Sequence, residues 1–374
     1  MQALLLQYFS YREENFFMYV KKHPPLLICF LSAVLLTANV LPGSAPRVLA
    51  DSPTPPPAVV SSPPSAAAAS PVASHGALHV DGSSLTDCRG ETYQLRGMST
   101  HGIAWFPQYI TLDTFRTLRD DWNTNCIRLA MYTDEYNGYC SGGDQNQLKA
   151  LVQKGVDYAT ELGMYVILDW HVLNDRDPNV HKAEALTFFQ EMSSLCKDHK
   201  NVLYEICNEP NSNASWDSIK SYAREVIPVI RANDPDAVII VGTPTWSQDI
   251  HQAAAAPLEY DNILYALHFY AATHTDWLRQ RLEACTAQGL PVFVSEFGTC
   301  DASGNGSNDF QQAAQWLDLL DSYQISYCCW NLANKAETSS VIAPDCSKVS
   351  GWSQEELSES GKWISERFRS HGLD

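Results

Sequence analysis

Eight short buried segments alternate with amphipathic segments from Gly76 to the end of the chain, and this alternation constrains the fold most. The eight segments are rich in β-branched and aromatic residues, which is typical of buried strands. Strands are predicted at residues 93–99, 125–131, 164–170, 202–207, 237–242, 263–269, 291–297 and 325–331. Eight buried strands that alternate with helices over about 250 to 300 residues predict a (β/α)8 barrel of the α/β class.

The segments between the strands have helical periodicity. The clearest is Gln145 to Leu162, where apolar residues recur on one face, and further helices are predicted at 183–196, 216–232, 277–287, 310–322 and 354–369. A short hairpin over 78–87, with Asp81-Gly82 as its turn, is expected to close the bottom of the barrel. A doubly wound open sheet is the alternative fold, but Gly97-Met98-Ser99-Thr100 lacks the glycine-rich phosphate turn of such sheets.

The first 75 residues are predicted to lie outside the barrel. Lys21 and Lys22 precede an apolar run over 26–41, and Val48-Leu49-Ala50 is a small-residue cleavage site, so residues 1–50 are predicted to be a signal peptide. An uncleaved anchor is the alternative, although the run has 16 residues and a membrane span needs about 20. Residues 51–75 contain seven Pro, six Ala and six Ser, which predicts an extended linker before a catalytic barrel at 76–374. The protein is therefore expected to be secreted, or tethered to a membrane if the signal is retained.

Composition excludes some partners and leaves the cysteines open. A hydrophobic content of 45% excludes a mainly disordered chain, and a net charge of −18 argues against nucleic acid or an anionic membrane as the principal partner. Ten of the eleven cysteines follow the predicted signal, and an even number in an exported chain predicts some disulfides among the loop cysteines. Cys126, Cys207 and Cys328 lie in apolar strands, where a free thiol would pack as a small hydrophobic group.

Polar and aromatic side chains stand at the carboxyl ends of the predicted strands, which is where the active sites of such barrels lie. These side chains are His101, Arg128, His171, Asn208, Glu209, His268, Tyr270, Glu296 and Trp330. Glu209 and Glu296 belong to the fourth and seventh strands and would face each other across the mouth. Glycoside hydrolysis needs such a pair, because one carboxyl group protonates the leaving oxygen while the other attacks or activates water.

These residues lie in motifs that resemble glycoside hydrolase family 5, and within it the bacterial-type endo-β-1,4-glucanases. The motifs occur in order across residues 76–374: Met98-Ser99-Thr100-His101-Gly102, Asp169-Trp170-His171, Tyr204-Glu205-Ile206-Cys207-Asn208-Glu209-Pro210-Asn211, His268-Phe269-Tyr270, Ser295-Glu296-Phe297-Gly298 and Trp330-Asn331-Leu332-Ala333-Asn334-Lys335. The sequence departs from the family pattern at 271–275, where a glycine-containing loop is expected, and at Cys328-Cys329.

The resemblance implies a retaining enzyme that needs no cofactor and no metal. Glu209 would be the general acid/base, and Glu296 would be an ionised nucleophile that forms a covalent glycosyl-enzyme, with the two carboxyl groups about 5 to 5.5 Å apart. The catalytic set would be completed by Arg128, Asn208, His171, His268 and Tyr270. The substrate-binding set would be Trp330, His101, Trp105, Tyr132, Lys335 and Glu337.

Other interpretations remain for these residues and for the substrate. Arg128 could be only a structural ion-pair member, and Trp105 and Trp330 could be core aromatics. A catalytic metal is disfavoured, because Thr100-His101-Gly102 lacks the His-x-His that barrel metallohydrolases carry after the first strand. The expected partner is a β-1,4-glucan, with no nucleic acid and no protein partner, and the protein is expected to be a monomer. The same chemistry on mannan, xyloglucan or mixed-linkage glucan and a non-catalytic carbohydrate-binding barrel are the alternatives.

Overall fold

The computed structural model describes residues 70–372, and in them eight parallel strands close into a barrel. The barrel strands follow chain order and close by pairing of the last strand with the first. They are β3 (Arg96–Thr100), β4 (Cys126–Tyr132), β5 (Tyr165–His171), β6 (Val202–Glu205), β7 (Ile239–Val241), β8 (Ile263–Tyr270), β9 (Val292–Gly298) and β10 (Tyr327–Leu332). This confirms the predicted (β/α)8 fold, and each predicted strand overlaps an observed one.

Helices cover the outside of the barrel. They are α1 (Pro71–His75), α2 (Leu112–Trp122), α3 (Gln145–Leu162), α4 (Lys182–Cys196), α5 (Trp216–Arg231), α6 (Pro244–Ser247), α7 (Ile250–Ala255), α8 (Asp276–Thr286), α9 (Phe310–Ser322) and α10 (Glu359–Arg369), with 3-10 turns at Pro107–Tyr109 and Gln354–Glu356. The predicted helix at 354–369 is therefore a 3-10 turn followed by α10, and α1, α2, α6 and α7 were not predicted. In the described range no helix is long and apolar enough to cross a bilayer.

Two apolar layers hold the barrel together. The outer layer joins the strands to the helices around large buried side chains such as Trp122, Trp170 and Trp316. The inner layer fills the lower barrel and includes Leu85 of the hairpin together with Ile167 and other strand residues. The hairpin is formed by β1 (His79–Asp81) and β2 (Ser84–Thr86), and it packs against the inner layer as predicted.

The predicted signal peptide and residues 51–69 of the predicted linker lie outside the described residues. The last residues of the predicted linker differ from an extended spacer, because Ser70 caps the short helix α1 through a hydrogen bond from the Ala73 amide. His75 ends this helix, pairs with Asp87 at 2.9 Å and stacks on Tyr93 with ring centroids 3.7 Å apart. The chain is thus joined to the bottom of the barrel before Gly76.

The prediction of disulfides among the loop cysteines is wrong for the described residues. All ten cysteines between 70 and 372 are free thiols, and most are buried. The interpretation of Cys126, Cys207 and Cys328 as buried thiols is confirmed. The sulfur of Cys328 lies where a side chain on Gly97 would be, so Gly97 provides space for this thiol inside the barrel. Burial raises the pKa of Cys207 and Cys329, which keeps both thiols protonated.

Candidate active site

Arg128 is the centre of the polar layer directly above the inner apolar layer. Its side chain is fully buried on β4, and strand alternation turns it into the barrel. The guanidinium donates to Glu205 at 2.7 and 3.2 Å and to Asn208 at 2.6 Å, and it lies 3.0 Å from Asp169 and 3.3 Å from Glu296. The fixed, planar array of donors therefore holds side chains from three strands, β5, β6 with the turn after it, and β9, in one geometry.

Glu296 lies at the mouth of the barrel, between two hydrogen-bond donors. Arg128 donates to Oε2 at 3.3 Å and the Tyr270 hydroxyl donates to Oε1 at 2.8 Å. Burial raises the pKa of Glu296, and the charge of Glu209 adds to this shift. The opposing effects of His268 and Arg128 favour the carboxylate. The two donors thus stabilise the ionised form that a nucleophile requires.

Glu209 contacts a different set of groups. His268 Nδ1 lies 3.1 Å from Glu209 Oε1, and Nε2 of the same ring lies 2.9 Å from the hydroxyl of Ser295. The Ser295 hydroxyl donates to Glu205 at 2.7 Å. Burial lowers the pKa of His268 to about 4, so the imidazole is neutral at neutral pH.

The two carboxyl groups converge on one space. One ligand atom each from Glu209, Glu296 and His268 lies within 4.8 Å of the others. These are the side chains in the described residues that could hold a metal ion, and each already has a partner within the protein. The separation of the carboxylate oxygens is in keeping with the short spacing of retaining glycosidases.

His171 and Trp330 form an adjoining wall. His171 Nδ1 lies 2.6 Å from Asp169, and Nε2 lies 3.2 Å from the amide nitrogen of Asn208. The ring stacks on the indole of Trp330, with centroids 5.2 Å apart and planes 18° apart. Burial, with the charge of Arg128, keeps the pKa of His171 well below its usual value. A neutral imidazole and an indole face thus line one side of the site.

The remaining predicted binding residues extend this wall outward. Tyr132 lies 4.1 Å from the ring of His171 and 4.6 Å from that of Trp105, and His101 lies 5.2 Å from that of Trp330, all between centroids. The Trp105 indole nitrogen donates to the backbone carbonyl of Tyr136. This row of rings gives an apolar surface of the kind that sugar faces pack against.

A charged pair lies beside this row. Lys335 contacts Glu337 at 2.6 Å, and His101 Nε2 lies 3.6 Å from the same carboxylate. Burial opposes ionisation of Glu337, but His101 and Lys335 hold its pKa well below the usual range. The structure therefore brings all thirteen predicted site residues into one continuous region.

Several residues that build the site were not given a role by the sequence reasoning. Asp169 and Glu205 are fully buried charges on otherwise apolar strands, and a buried charge requires a partner, which was the available signal. Ser295 gave no such signal. Trp246 follows β7, and its amide donates to the carbonyl of Pro210, directly after Glu209. In the departing loop at 271–275, His274 Nδ1 accepts a hydrogen bond from the Tyr270 amide at 2.8 Å.

Comparisons with known proteins agree with this geometry. The family model for cellulase (glycosyl hydrolase family 5) matches residues 86–336. Endoglucanase A of Butyrivibrio fibrisolvens is 50% identical over 293 residues, which cover 78% of this chain and 68% of the relative. Endoglucanase N of Pectobacterium atrosepticum is 47% identical over 301 residues, covering 80% and 67%.

A solved structure extends the comparison to three dimensions. The catalytic domain of Thermobifida fusca endoglucanase Cel5A, in complex with cellotetraose, superposes with a TM-score of 0.77 at 41% identity. The match covers 80% of this chain and all of that domain. Sequence motifs, barrel topology and the carboxylate pair at its mouth lead to one conclusion, which is that the chain belongs to glycosyl hydrolase family 5, the cellulase family.

Proposed function

We propose that this protein is a secreted, retaining endo-β-1,4-glucanase that hydrolyses internal bonds of cellulose or related β-glucans. The observation that carries the proposal is the convergence of Glu209 and Glu296 at the barrel mouth, each with its own partner. Family membership supports the chemistry, and the relatives named endoglucanase support the endo-acting mode.

In the first step Glu296 attacks the anomeric carbon while Glu209 protonates the leaving oxygen. The bond from the anomeric carbon to that oxygen breaks, the leaving chain departs with the proton, and a glycosyl ester forms on Glu296. Tyr270 and Arg128 hold the two oxygens of Glu296 and orient the attacking lone pair. Asn208 is held by Arg128 and is placed to hydrogen-bond the 2-hydroxyl of the reacting sugar.

In the second step Glu209 acts as a base. It removes a proton from a water molecule whose oxygen attacks the anomeric carbon, and the ester bond to Glu296 breaks. Two inversions at the same carbon give a product with the original β configuration. Glu209 ends this step protonated and Glu296 ends it as a carboxylate, so the enzyme is ready for the next cycle.

The row of aromatic residues supports a glucan substrate. Trp330 and Trp105 present ring faces for the apolar sides of glucose, and Lys335 and Glu337 offer polar contacts beside them. The similar Thermobifida fusca domain was solved with cellotetraose, which is itself a short β-1,4-glucan. The cellotetraose complex of this similar domain favours β-1,4-glucan over mannan as the substrate class.

A substrate panel tests the proposal. Wild type, Glu296→Ala and Glu209→Gln are compared by reducing-sugar release on carboxymethylcellulose, mannan and xylan. Wild type is expected to cleave carboxymethylcellulose best, and both variants are expected to lose at least about 1,000-fold in kcat, since each lacks a group that acts in the transition state. Faster cleavage of mannan than of carboxymethylcellulose would identify mannan as the substrate. Cleavage of none of the three polymers would contradict the proposal that the protein is an enzyme.

The stereochemical course is a separate test of the mechanism. Hydrolysis of an aryl cellobioside followed by proton NMR is expected to show the β-anomer of cellobiose first, with the α-anomer appearing later by mutarotation. An initial α-anomer would show inversion and would exclude Glu296 as a covalent nucleophile.

Export rests on the predicted signal over residues 1–50. The intact mass of protein recovered from the culture medium is expected to correspond to a chain that begins near Asp51. A full-length chain retained in the membrane fraction would instead support the tethered alternative.

A further inference from the structure

A chain of hydrogen bonds runs from Arg128 to Glu209 through side chains that do not touch the reacting bond. Arg128 donates twice to Glu205, at 2.7 and 3.2 Å. Ser295 lies 2.7 Å from Glu205 and 2.9 Å from His268 Nε2, and Nδ1 of that histidine lies 3.1 Å from Glu209. Except for Glu209, these side chains are almost fully buried, so bulk solvent does not supply their partners.

Counting donors fixes the direction of each bond. A carboxylate that is bound twice by an arginine is ionised and only accepts hydrogen bonds. The single hydroxyl hydrogen of Ser295 therefore points to Glu205, and its oxygen must accept a hydrogen from His268 Nε2.

The state of the imidazole follows from its surroundings. Glu205, Glu209 and Glu296 face the ring as acidic groups, and Arg128 and the neutral His171 and His274 also lie nearby. Burial is the largest effect and lowers the pKa of His268 to about 4. Above that pH the ring has one hydrogen, which lies on Nε2, so Nδ1 presents a lone pair to Glu209.

We propose that Glu205 and Ser295 are positioning residues that hold His268 as the Nε2–H tautomer, so that Nδ1 accepts a hydrogen bond from Glu209 and keeps the proton on this acid. This inference rests on the proposed role of Glu209 as acid/base. A lone pair opposite Glu209 disfavours its carboxylate, which keeps the acid protonated in the free enzyme and strengthens the base in the second step.

Glu205→Gln is the variant that reverses the direction of the hydrogen bonds from residue 205 to Glu209. The glutamine oxygen can still accept from Arg128, but its amide now donates to the Ser295 oxygen, whose hydrogen turns to His268 Nε2. Nε2 then accepts, the ring hydrogen moves to Nδ1, and Nδ1 donates to the Glu209 carboxylate. The ionised acid is stabilised, so the alkaline limb of kcat/KM moves to lower pH, by about one unit.

Asp169→Asn is the matched control above pH 7. Burial raises the pKa of Asp169 to about 7, so above that pH the substitution also removes a buried negative charge 3.0 Å from Arg128, while Ser295 and His268 keep their partners. The shift of its alkaline limb measures the loss of a buried charge and of the contact to His171, with the bonds between Glu205, Ser295 and His268 intact. Glu205→Gln is expected to shift the alkaline limb of kcat/KM further than this control does. In the double variant Glu205→Gln/Ser295→Ala the extra shift is expected to disappear, because no hydroxyl remains to donate to His268 Nε2.

Nitrogen-15 NMR of protein labelled at histidine measures the tautomer of His268 and does not depend on enzyme activity. His268 is expected to have its hydrogen on Nε2 in the wild type and in Asp169→Asn, and on Nδ1 in Glu205→Gln, with the signal assigned by its loss in His268→Gln. A hydrogen on Nδ1 in the wild type would overturn the inference even if no variant folds. Equal limb shifts in Glu205→Gln and Asp169→Asn would overturn it as well. An inactive wild type would contradict the proposed function but would leave the tautomer result intact.

Discussion

The Arg128 guanidinium and the Glu205 carboxylate form a two-point ion pair, with bonds of 2.7 and 3.2 Å, and both side chains are fully buried. The pair lies below Glu209 and Glu296, the proposed acid/base and nucleophile. Because one guanidinium also reaches Glu296 and Asn208, the pair fixes the positions of groups with different proposed roles in the reaction.

Glu205→Gln is expected to lower the free energy of unfolding by about 1.5 to 3 kcal/mol, since a neutral amide with one acceptor oxygen replaces the carboxylate that accepts two charge-assisted hydrogen bonds from Arg128. Chemical denaturation monitored by tryptophan fluorescence measures the loss. Glu225→Gln is the matched control, because its pair with Lys182 is exposed and should contribute at most about 1 kcal/mol. Equal losses in the two variants would contradict a special role for the buried pair.

Tyr270→Phe is expected to move the acid limb of kcat/KM to higher pH by about one unit. The hydroxyl donates to Glu296 and favours its carboxylate, so its loss raises a pKa that burial has already raised. As the proposed nucleophile, Glu296 must be ionised, and activity on the acid side is therefore expected to fall. A pH series on an aryl cellobioside measures the shift, with the exposed Tyr323→Phe as control. An unmoved acid limb would mean that the hydroxyl does not stabilise the nucleophile.

Glu337→Gln is expected to raise KM for long cello-oligosaccharides about tenfold with little change in kcat, because it removes the charge and one of the two acceptor oxygens that orient Lys335 and His101. Cellobiosides that are too short to reach this pair provide the internal comparison. A fall in kcat on both short and long substrates would mean that Glu337 affects the chemical step and not only the binding of long chains.

The same variant gives a prediction for stability. The pKa of Glu337 is depressed in the folded protein, so its contribution is present above the unfolded pKa, near 4.5, and is lost as pH falls through the folded value. Wild type is expected to be more stable than Glu337→Gln at pH 7, and the difference should shrink progressively as the pH falls below about 4.5. Urea denaturation at a series of pH values checks this, and a constant difference would contradict the depressed pKa.

Trp246→Ala is expected to lower kcat/KM on polymeric glucan about tenfold, through loss of about 1 to 2 kcal/mol of ring contact with the leaving chain. The Trp246 amide donates a hydrogen bond to the carbonyl of Pro210, so the backbone of this half-buried residue lies beside the residue that follows Glu209, the proposed acid/base. An aryl cellobioside with a good leaving group should be hydrolysed at an unchanged rate. Equal effects on both substrates would show that the substitution disturbs Glu209 itself.

Much of the fold could be predicted from sequence because buried strands and amphipathic helices have different periods. Gln145–Leu162 and Phe310–Ser322 match their predicted bounds, and all eight strands were predicted within three residues at each end. Leu112–Trp122 was missed, although Thr111 caps it through a hydrogen bond from the Thr114 amide, because its many charged and polar residues mask the apolar face.

The sequence alone determined which residues meet at the barrel mouth. In a parallel barrel the carboxyl ends of all strands lie at one face, so chain position was sufficient to bring Glu209, Glu296 and their neighbours together. The state of the thiols was not determined in this way, because an even count of cysteines says nothing about which sulfur atoms approach one another.

Only the tertiary structure decided which side chains of the polar layer are hydrogen-bonded to one another. Arg128, Glu205, Ser295 and His268 come from four different strands, and their contacts depend on the stagger with which the barrel closes. Local sequence encodes the period of each strand, but the direction of a hydrogen bond depends on which donor and acceptor meet across the barrel. The sequence therefore determined the barrel and the carboxylate pair, and tertiary contacts decided the protonation geometry around them.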